Sequence, residues 1–579
     1  MNNKLTLLRE FMTKNGVDAC VIPTSDPHLS EYTCDCYKLR EWFSGFTGSA
    51  GTLVVTKSLS GLWTDGRYYI QAEKELRGTG IELFRASEKE TISIEEFLLE
   101  NLEKGQNVGV DGRLFSKNYL DKIKIKLLEK EIVVKTRFDA SVLWENRPPM
   151  PMGKAFSLKE KYAGESAKSK ISRLRKLMEE ERADYYVSAM TDSVMWLLNI
   201  RGSDVAYTPV MLSYLFVSKE NVILFAQKEK TSDISASCFE IREYGEFYVF
   251  LKNLDKEKSL VVDFSETNYE IINSATCKIK NHSDFIQSMK AIKNETELSN
   301  IKKAYIKENI ALIKSFYEIY SSVGTIDECD VQDVIERKRI QGDGYLYPSF
   351  CTVAAFGENA AIVHYSPQKS KCAKIENNAM LLIDTGGQYL EGTTDTTRTL
   401  ILGDISCEVK KLYTSVLKGN IALSRAIFPK GSTGKSIDIL AREPLWKMGK
   451  NYRHGTGHGV GYLLCVHEGP HSISPASDVE LKCGMTVTDE PGIYEENEFG
   501  VRIENHLSVV KKYNGEYGEF LGFEVLNFCP IGTNGILTEL LTEDEKKWLN
   551  DYNEKCQKLY KEHLTVEEYQ WLVNYTKKI

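Results

Sequence analysis

"MTVTDEPGIYEENEFGVRIENHLSVV" (residues 485–510) reads as an apolar strand, a polar turn and a returning strand. The first strand runs into Glu490, and the return carries Arg502 and Glu504. Folding the stretch about Asn497 sets Glu490 opposite Glu504. Directly opposed residues share a face, with Cβ atoms about 4.5–5.5 Å apart. Like charges held that close destabilise a sheet unless something compensates. The same device recurs upstream. In "MLLIDTGGQYLEGTTDTTRTLILG" (380–403) an apolar strand runs into Asp384, glycines follow, and a Thr-rich strand carries Asp395. A hairpin centred near Tyr389 and Leu390 puts Asp384 opposite Asp395. Four unrelated surface acids would explain one such pair; two pairs, each at the end of an apolar strand, point to a shared cation or two.

Between these stretches lies "HGTGHGVGYLLCVHEGP" (454–470), with three of the nine histidines. Glycine at every second position disfavours a helix by about 1 kcal/mol each. It suits an extended strand that another backbone or a ligand must approach. At a rise of ~3.3 Å per residue, His454 and His458 share a face but sit roughly 13 Å apart. One of them is then a ligand and the other faces substrate or supports the ligands; spacing alone does not choose. His467 has the opposite parity, beyond a bend. The donor set becomes Asp384, Asp395, one histidine, Glu490 and Glu504. Two divalent ions balance four carboxylates. Oxygen-rich ligation with one imidazole suits Mn²⁺, Co²⁺ or Zn²⁺ in a two-metal site, which activates water and polarises a carbonyl or phosphoryl oxygen.

The remaining sequence supplies a frame. At 579 residues the chain exceeds one core and calls for two to four domains. "LREFMTKNGVDACVI" (8–22) resembles "LRKLMEEERADYYVS" (174–188) at a constant offset, each an amphipathic helix entering a short apolar strand. The proline-rich "ENRPPMPMGKAF" (145–156) reads as a linker. A second boundary falls near residue 285, and six of the nine histidines follow between 364 and 506. The expected division is 1–148, 159–284 and 286–579. Near the carboxy terminus, Thr542 with Glu545 and Thr565 with Glu568 have capping-box spacing and predict a packed helix pair.

Composition narrows the function. With 74 basic and 82 acidic side chains the net charge is -8, which argues against nucleic acid or an anionic membrane as partner. No stretch approaches the ~20 apolar residues of a membrane span, and the amino terminus has no signal-length apolar core. Thirteen scattered cysteines form no CxxC pair; the nearest two are Cys34 and Cys36. That pattern predicts reduced thiols in the cytoplasm and argues against cysteine-ligated zinc.

At these residues the chain resembles the aminopeptidase P family of Xaa-Pro aminopeptidases, three-domain cytosolic type, and its last third the wider pita-bread group. The matching stretches are "GENAAIVHYSP" (357–367), "LLIDTGGQYLEGTTDTTRT" (381–399), "HGTGHGVG" with "VHEGP", and "TDEPGIYEENEFGVRIEN" (488–505). "DPHLSEY" (26–32), "FSGFTGSAGTLVVT" (43–56), "LWTDGRYYIQA" (62–72) and "FLGFEVLNFCPI" (520–531) extend the resemblance over nearly the whole chain. It implies an α/β (α+β) protein: two related amino-terminal α/β domains followed by a pita-bread catalytic domain with a curved antiparallel sheet.

The resemblance also implies Asp384, Asp395, His458, Glu490 and Glu504 as ligands of two divalent ions, Mn²⁺ first, with Zn²⁺ or Co²⁺ as alternatives. It chooses His458 over His454. His364, His454 and His467 match the family's non-ligand active-site histidines, and Arg502 orients the carboxylates. The implied activity removes the amino-terminal residue from peptides with proline second, by a metal-bridging hydroxide attacking the Xaa-Pro carbonyl, with Glu490 shuttling the proton. The implied partners are such peptides and a second copy in a homodimer.

Overall fold

A computed structural model describes residues 3–86 and 88–579. The chain forms two compact units, residues 1–159 with 165–286, and residues 160–164 with 287–579.

The first unit contains two six-stranded sheets built on one plan. The repeated helix–strand segment opens both: helices Asn3–Lys14 and Ala167–Glu180 precede strands Ala19–Pro23 and Tyr185–Ser188. In each sheet this first strand has an antiparallel neighbour on one side and a parallel one on the other. The remaining strands correspond in order and sense. The repeated residues also do the same work. Leu8 and Met12, like Leu174 and Met178, are buried on the helix face that meets the sheet. Arg9 and Arg175 each donate from Nε to a carbonyl at the end of the second strand, Thr56 and Ser218, both at 2.9 Å. Asp18 and Asp184 each accept from the first backbone N–H of the parallel neighbour, Asn107 and Ser259, again at 2.9 Å.

The second unit carries the acids and glycines singled out above. Helix α1 (Glu295–Ser321) starts from a capping box between Asn294 and Glu297 and packs on α2 (Glu328–Ile340). A buried ion pair, Glu308 with Arg339, joins them. Strands β1 (Val353–Phe356), β2 (Asn378–Thr385) and β3 (Thr396–Gly403) form one antiparallel sheet. Helices α3 (Cys407–Ser424) and α4 (Gly434–Trp446) follow. Then come β4 (Gly457–Gly459), β5 (Glu468–Ile473), β6 (Thr486–Asp489), the hairpin β7 (Gly492–Glu495) and β8 (Phe499–Arg502), and the long pair β9 (Asn505–Gly515) and β10 (Gly518–Val525). Residues Ile427–Pro429, β10, β9, β6, β4 and β5 make an antiparallel sheet in that order. The two terminal helices, Glu543–Tyr560 and Val566–Tyr575, begin at the capping boxes their sequence predicts.

The two acidic hairpins come out differently. The later one folds about Asn497, whose φ of +60° suits a tight turn. Gly492 pairs with Arg502 and Glu495 with Phe499. The outer ladder keeps the same register, pairing Asp489 with Asn505. Glu490 and Glu504 fall where the ladder opens: the Glu490 N–H bonds the Thr456 carbonyl at 2.8 Å, and the Glu504 N–H bonds the Thr397 carbonyl at 3.1 Å. The earlier hairpin is a correction. Its tightest pair is Tyr389 with Gly392, so Asp384 faces Thr397 and not Asp395. The turn sits one residue later than expected, and a one-residue displacement of a turn moves the facing partner by two. The side-chain face is therefore kept while the partner changes.

The glycine run is explained by what crosses it. A Cβ on Gly457 would lie 1.8 Å from the Thr488 carbonyl oxygen, and one on Gly459 would lie 2.2 Å from that of Glu468. Strand β4 is only three residues long, however, and His454 precedes it in a bend. The expected long strand shared by His454 and His458 is absent because the chain turns before Thr456. Gly457→Ala should destabilise the protein by about 1–3 kcal/mol through overpacking. Gly245→Ala, whose Cβ would meet nothing within 4 Å, should stay within about 0.5 kcal/mol of the parent. Urea denaturation of both variants checks the contrast.

Candidate metal centre

Strands β3, β4 and β8 converge where the ladder opens. There one ligand atom each from Asp395, His458 and Glu504 lie within 4.8 Å of one another. His458 Nε2 is 3.4 Å from Asp395 Oδ2 and 3.5 Å from Glu490 Oε1. Its other nitrogen, Nδ1, is 2.8 Å from the Gly459 carbonyl. A proton held there by that carbonyl leaves Nε2 with its lone pair toward the acids, the usual arrangement of a ligating histidine. Thr488 serves both partners: its hydroxyl accepts from the His458 N–H at 3.0 Å and donates to Glu490 at 3.3 Å.

Asp384 is held from the side. Arg502 Nη2 donates to its Oδ2 at 2.6 Å, while its Oδ1 is buried with no hydrogen-bond partner. Arg502 Nε also donates to the Thr397 hydroxyl at 3.2 Å, and that hydroxyl donates to Glu504 at 2.8 Å. Arg502 thus orients Asp384 directly and Glu504 through Thr397. The bond to Asp384 crosses between the two hairpins. Arg502 Nη1 donates to the Tyr494 hydroxyl at 2.7 Å, which lies 2.9 Å from His454 Nε2. The His454 ring holds its own Gly455 carbonyl at 2.7 Å through Nδ1. The His467 ring stands edge-on to that of His458, centroids 4.3 Å apart. His364 follows Val363, whose carbonyl accepts from Arg502 at 3.4 Å.

Three supports had no signal in the sequence. Tyr494 links His454 to Arg502. Tyr305, on α1, is within 3.1 Å of both the carbonyl and the N–H of Asp395, and lies 2.7 Å from His506 Nδ1. Arg398 donates to the Glu504 carbonyl, to Cys529 and Pro530 carbonyls, and to the Tyr552 hydroxyl on the Glu543–Tyr560 helix. That terminal helix therefore braces the strand that carries Glu504. Thr397 was missed with the register, since the observed ladder sets it opposite Asp384.

Burial of so many acids raises their pKa values. Glu490 is pushed up to about 7 by burial, with the Asp395 and Asp384 charges adding to it and His458 and Arg502 opposing. Burial and the same carboxylates push Glu504 well up. Asp384 is raised by burial and Asp395 despite Arg502. Burial disfavours the charged His458, but the Asp395 and Glu490 carboxylates outweigh it and hold the ring up at about 9. Crowded acids, an unpaired buried carboxylate oxygen and an imidazole aimed at them are the donor set of a divalent-metal pair, and these residues fit one.

The profile of metallopeptidase family M24 matches residues 299–511, and that of its C-terminal region residues 519–579. Creatinase/prolidase N-terminal domain profiles match residues 4–137 and 146–297. A probable Xaa-Pro aminopeptidase P of Sordaria macrospora is 38% identical over 96% of this chain and 95% of its own length. The chain belongs to the Xaa-Pro aminopeptidases of metallopeptidase family M24. In structure it matches the X-prolyl aminopeptidase of Caenorhabditis elegans, described as a cytosolic enzyme with a di-nuclear active site, at a TM-score of 0.94 and 32% identity over 100% of this chain and 99% of that one. The prolidase of Pyrococcus horikoshii covers 64% of this chain and 100% of its own at a TM-score of 0.51 and 26% identity. The family read from the sequence motifs and the family found by comparison are the same, as is the fold of two α/β domains before an antiparallel catalytic part.

The pKa directions carry a stability consequence. Glu490 rises from 4.5 and His458 from 6.5, so the folded metal-free protein holds protons the unfolded chain releases. That stabilisation is present below the unfolded values and is lost as pH rises through the folded ones. Divalent metal held by these groups would bind their deprotonated forms and restore what is lost. Thermal melts of chelated and metal-reloaded protein between about pH 5 and about pH 9 should show the gap in Tm widening as pH rises. A gap that narrows would contradict the assignment of these groups to one site.

Proposed function

We propose that the chain is a metal-dependent exopeptidase that removes the amino-terminal residue from peptides with proline at the second position. The observation that carries this reading is the meeting of Asp395, His458 and Glu504 where two ladders part, with Glu490 and Asp384 beside them. The five residues hold two divalent ions, Mn²⁺ before Zn²⁺ or Co²⁺. The three-domain division at 1–148, 159–284 and 286–579, a homodimer and a cytoplasmic location are parts of the same reading. Among the described residues no helix is long and apolar enough to cross a membrane.

The substrate sets the chemical problem. An Xaa-Pro amide is tertiary and offers no N–H to grip. The bound ions supply a lowered water pKa and polarisation of the scissile carbonyl. The chain's residues do the rest. The carboxylate face near Asp384 receives the substrate's free α-amine, which confines cleavage to the first bond. Glu490 accepts a proton from the attacking water on a carboxylate oxygen and delivers it to the departing proline nitrogen. His364 donates to the oxygen that gains charge. His454 and His467 position the proline and the carbonyl that follows it. Arg502 keeps Asp384 and Glu504 aimed while Tyr494 ties it to His454.

Protein stripped with chelator and reloaded with Mn²⁺ should release arginine from Arg-Pro-Pro and leave Arg-Ala-Pro largely intact. Cleavage of Arg-Pro alone would move the assignment to a dipeptidase. No cleavage with two ions bound would make the chain a binding protein. Glu490→Gln should lower turnover by roughly 10²-fold or more while the urea midpoint moves little; near-full activity in that variant would remove Glu490 from the proton path.

A further inference from the structure

The "CDC" at 34–36, the nearest cysteine pair in the sequence, has no part in the chemistry above. It lies in the first unit, at the start of a short 3-10 turn, Asp35–Tyr37, for which Cys34 is the cap residue. The two sulfurs are 3.0 Å apart. A disulfide bond is ~2.05 Å long, so joining them needs about 1 Å of travel. Both residues are buried, Cys34 at 6% and Cys36 at 3% exposure. They differ in what they face. Cys36 lines a partly open cavity of about 390 Å³ that Tyr37, Arg113, Arg147 and Met150 also line, whereas Cys34 does not.

The surroundings of Cys36 favour a thiolate. The two sulfurs share a hydrogen bond that either can donate, and the Arg147 charge beside Cys36 favours its thiolate against the cost of burial. Arg147 is fixed there by a 2.6 Å bond from Nε to the Cys36 carbonyl and a 2.8 Å bond to Ser141. The other buried cysteine of this segment, Cys20, has its thiol pushed up to about 12 by burial and does not line the cavity. Geometry, access and charge thus divide two roles between neighbouring thiols: an attacking sulfur open to the cavity and a resolving sulfur behind it.

We propose that Cys34 and Cys36 form a reversible dithiol modification site, oxidised to an intramolecular disulfide by a small peroxide entering this cavity. Cys36 thiolate attacks one peroxide oxygen, breaking the O–O bond; the sulfur becomes a sulfenic acid and hydroxide leaves, protonated to water. The Cys34 thiolate then attacks Cys36 Sγ, the S–S bond forms, the S–O bond breaks, and a second water departs. Two sulfur-derived electrons reduce the peroxide and two thiol protons end in water. A dithiol reductant reverses the step by exchange. The bridge closes a loop of three residues, and such strained bridges are readily reduced.

The test uses the full chain with hydrogen peroxide as the probe. Reduced, desalted protein is treated with a small excess of peroxide, denatured, alkylated and digested, and the tryptic peptide 15–38 is sequenced by mass spectrometry. The expected product carries label on Cys20 alone and is two hydrogen atoms lighter than the same singly labelled peptide with both other thiols free. It should form before the exposed Cys351, Cys407 and Cys483 lose label, and dithiothreitol should restore all three labels on the peptide. Cys34→Ser should leave a Cys36 sulfenic acid that dimedone traps, and Cys36→Ser should leave Cys34 fully alkylated. The mapping on the unaltered chain decides the matter even if a variant fails to fold. Full labelling of Cys34 and Cys36 after the exposed cysteines have been oxidised would overturn the proposal.

Discussion

Repulsion among buried carboxylates is the constraint around which the second unit is arranged. Asp384, Asp395, Glu490 and Glu504 are brought within reach of one another out of water, where unscreened like charges cost far more than at a surface. Arg502 compensates part of this and holds only Asp384 directly. His458, drawn toward protonation, compensates another part. The remainder is the negative charge that the proposed divalent pair would balance. A core that did not expect cations would have spread these acids apart or replaced them with apolar residues.

The backbone solves the accompanying geometric problem by interruption. Two antiparallel ladders share one register, and the pair of glutamates falls in the gap between them. Their N–H groups are satisfied by Thr456 and Thr397, carbonyls of other segments, so nothing buried is lost by breaking the ladder there. The same bonds draw β3 and the glycine run against the opening. Glycines on β4 are then obligatory, since neighbouring carbonyls occupy the space a side chain would need.

Much of this could be read from residue order. Asn497 marks its turn because asparagine tolerates positive φ, and the alternation on either side then fixes which residues oppose. The earlier stretch has no such marker, and the turn expected at Tyr389 and Leu390 lies one residue on, at Leu390 and Glu391. The glycine run was legible as extended backbone, but not where it bends, since that depends on the Asp489 and Thr488 strand crossing it. Tyr494, Tyr305 and Arg398 were invisible for a related reason: each acts across elements distant in sequence, and nothing in its own stretch marks it. The helix–strand repeat was visible as a spacing; that its arginine and aspartate pairs form equivalent bonds required coordinates.

That duplication has a use beyond description. Asp18 and Asp184 make one bond in two settings, the first side chain 16% exposed and the second 38%. The two arginines also repeat one bond. Few chains offer the same interaction twice, with the local scaffold held constant and the solvent access changed. Here the molecule contains its own matched experiment on how much a carboxylate's grip on a strand end depends on water.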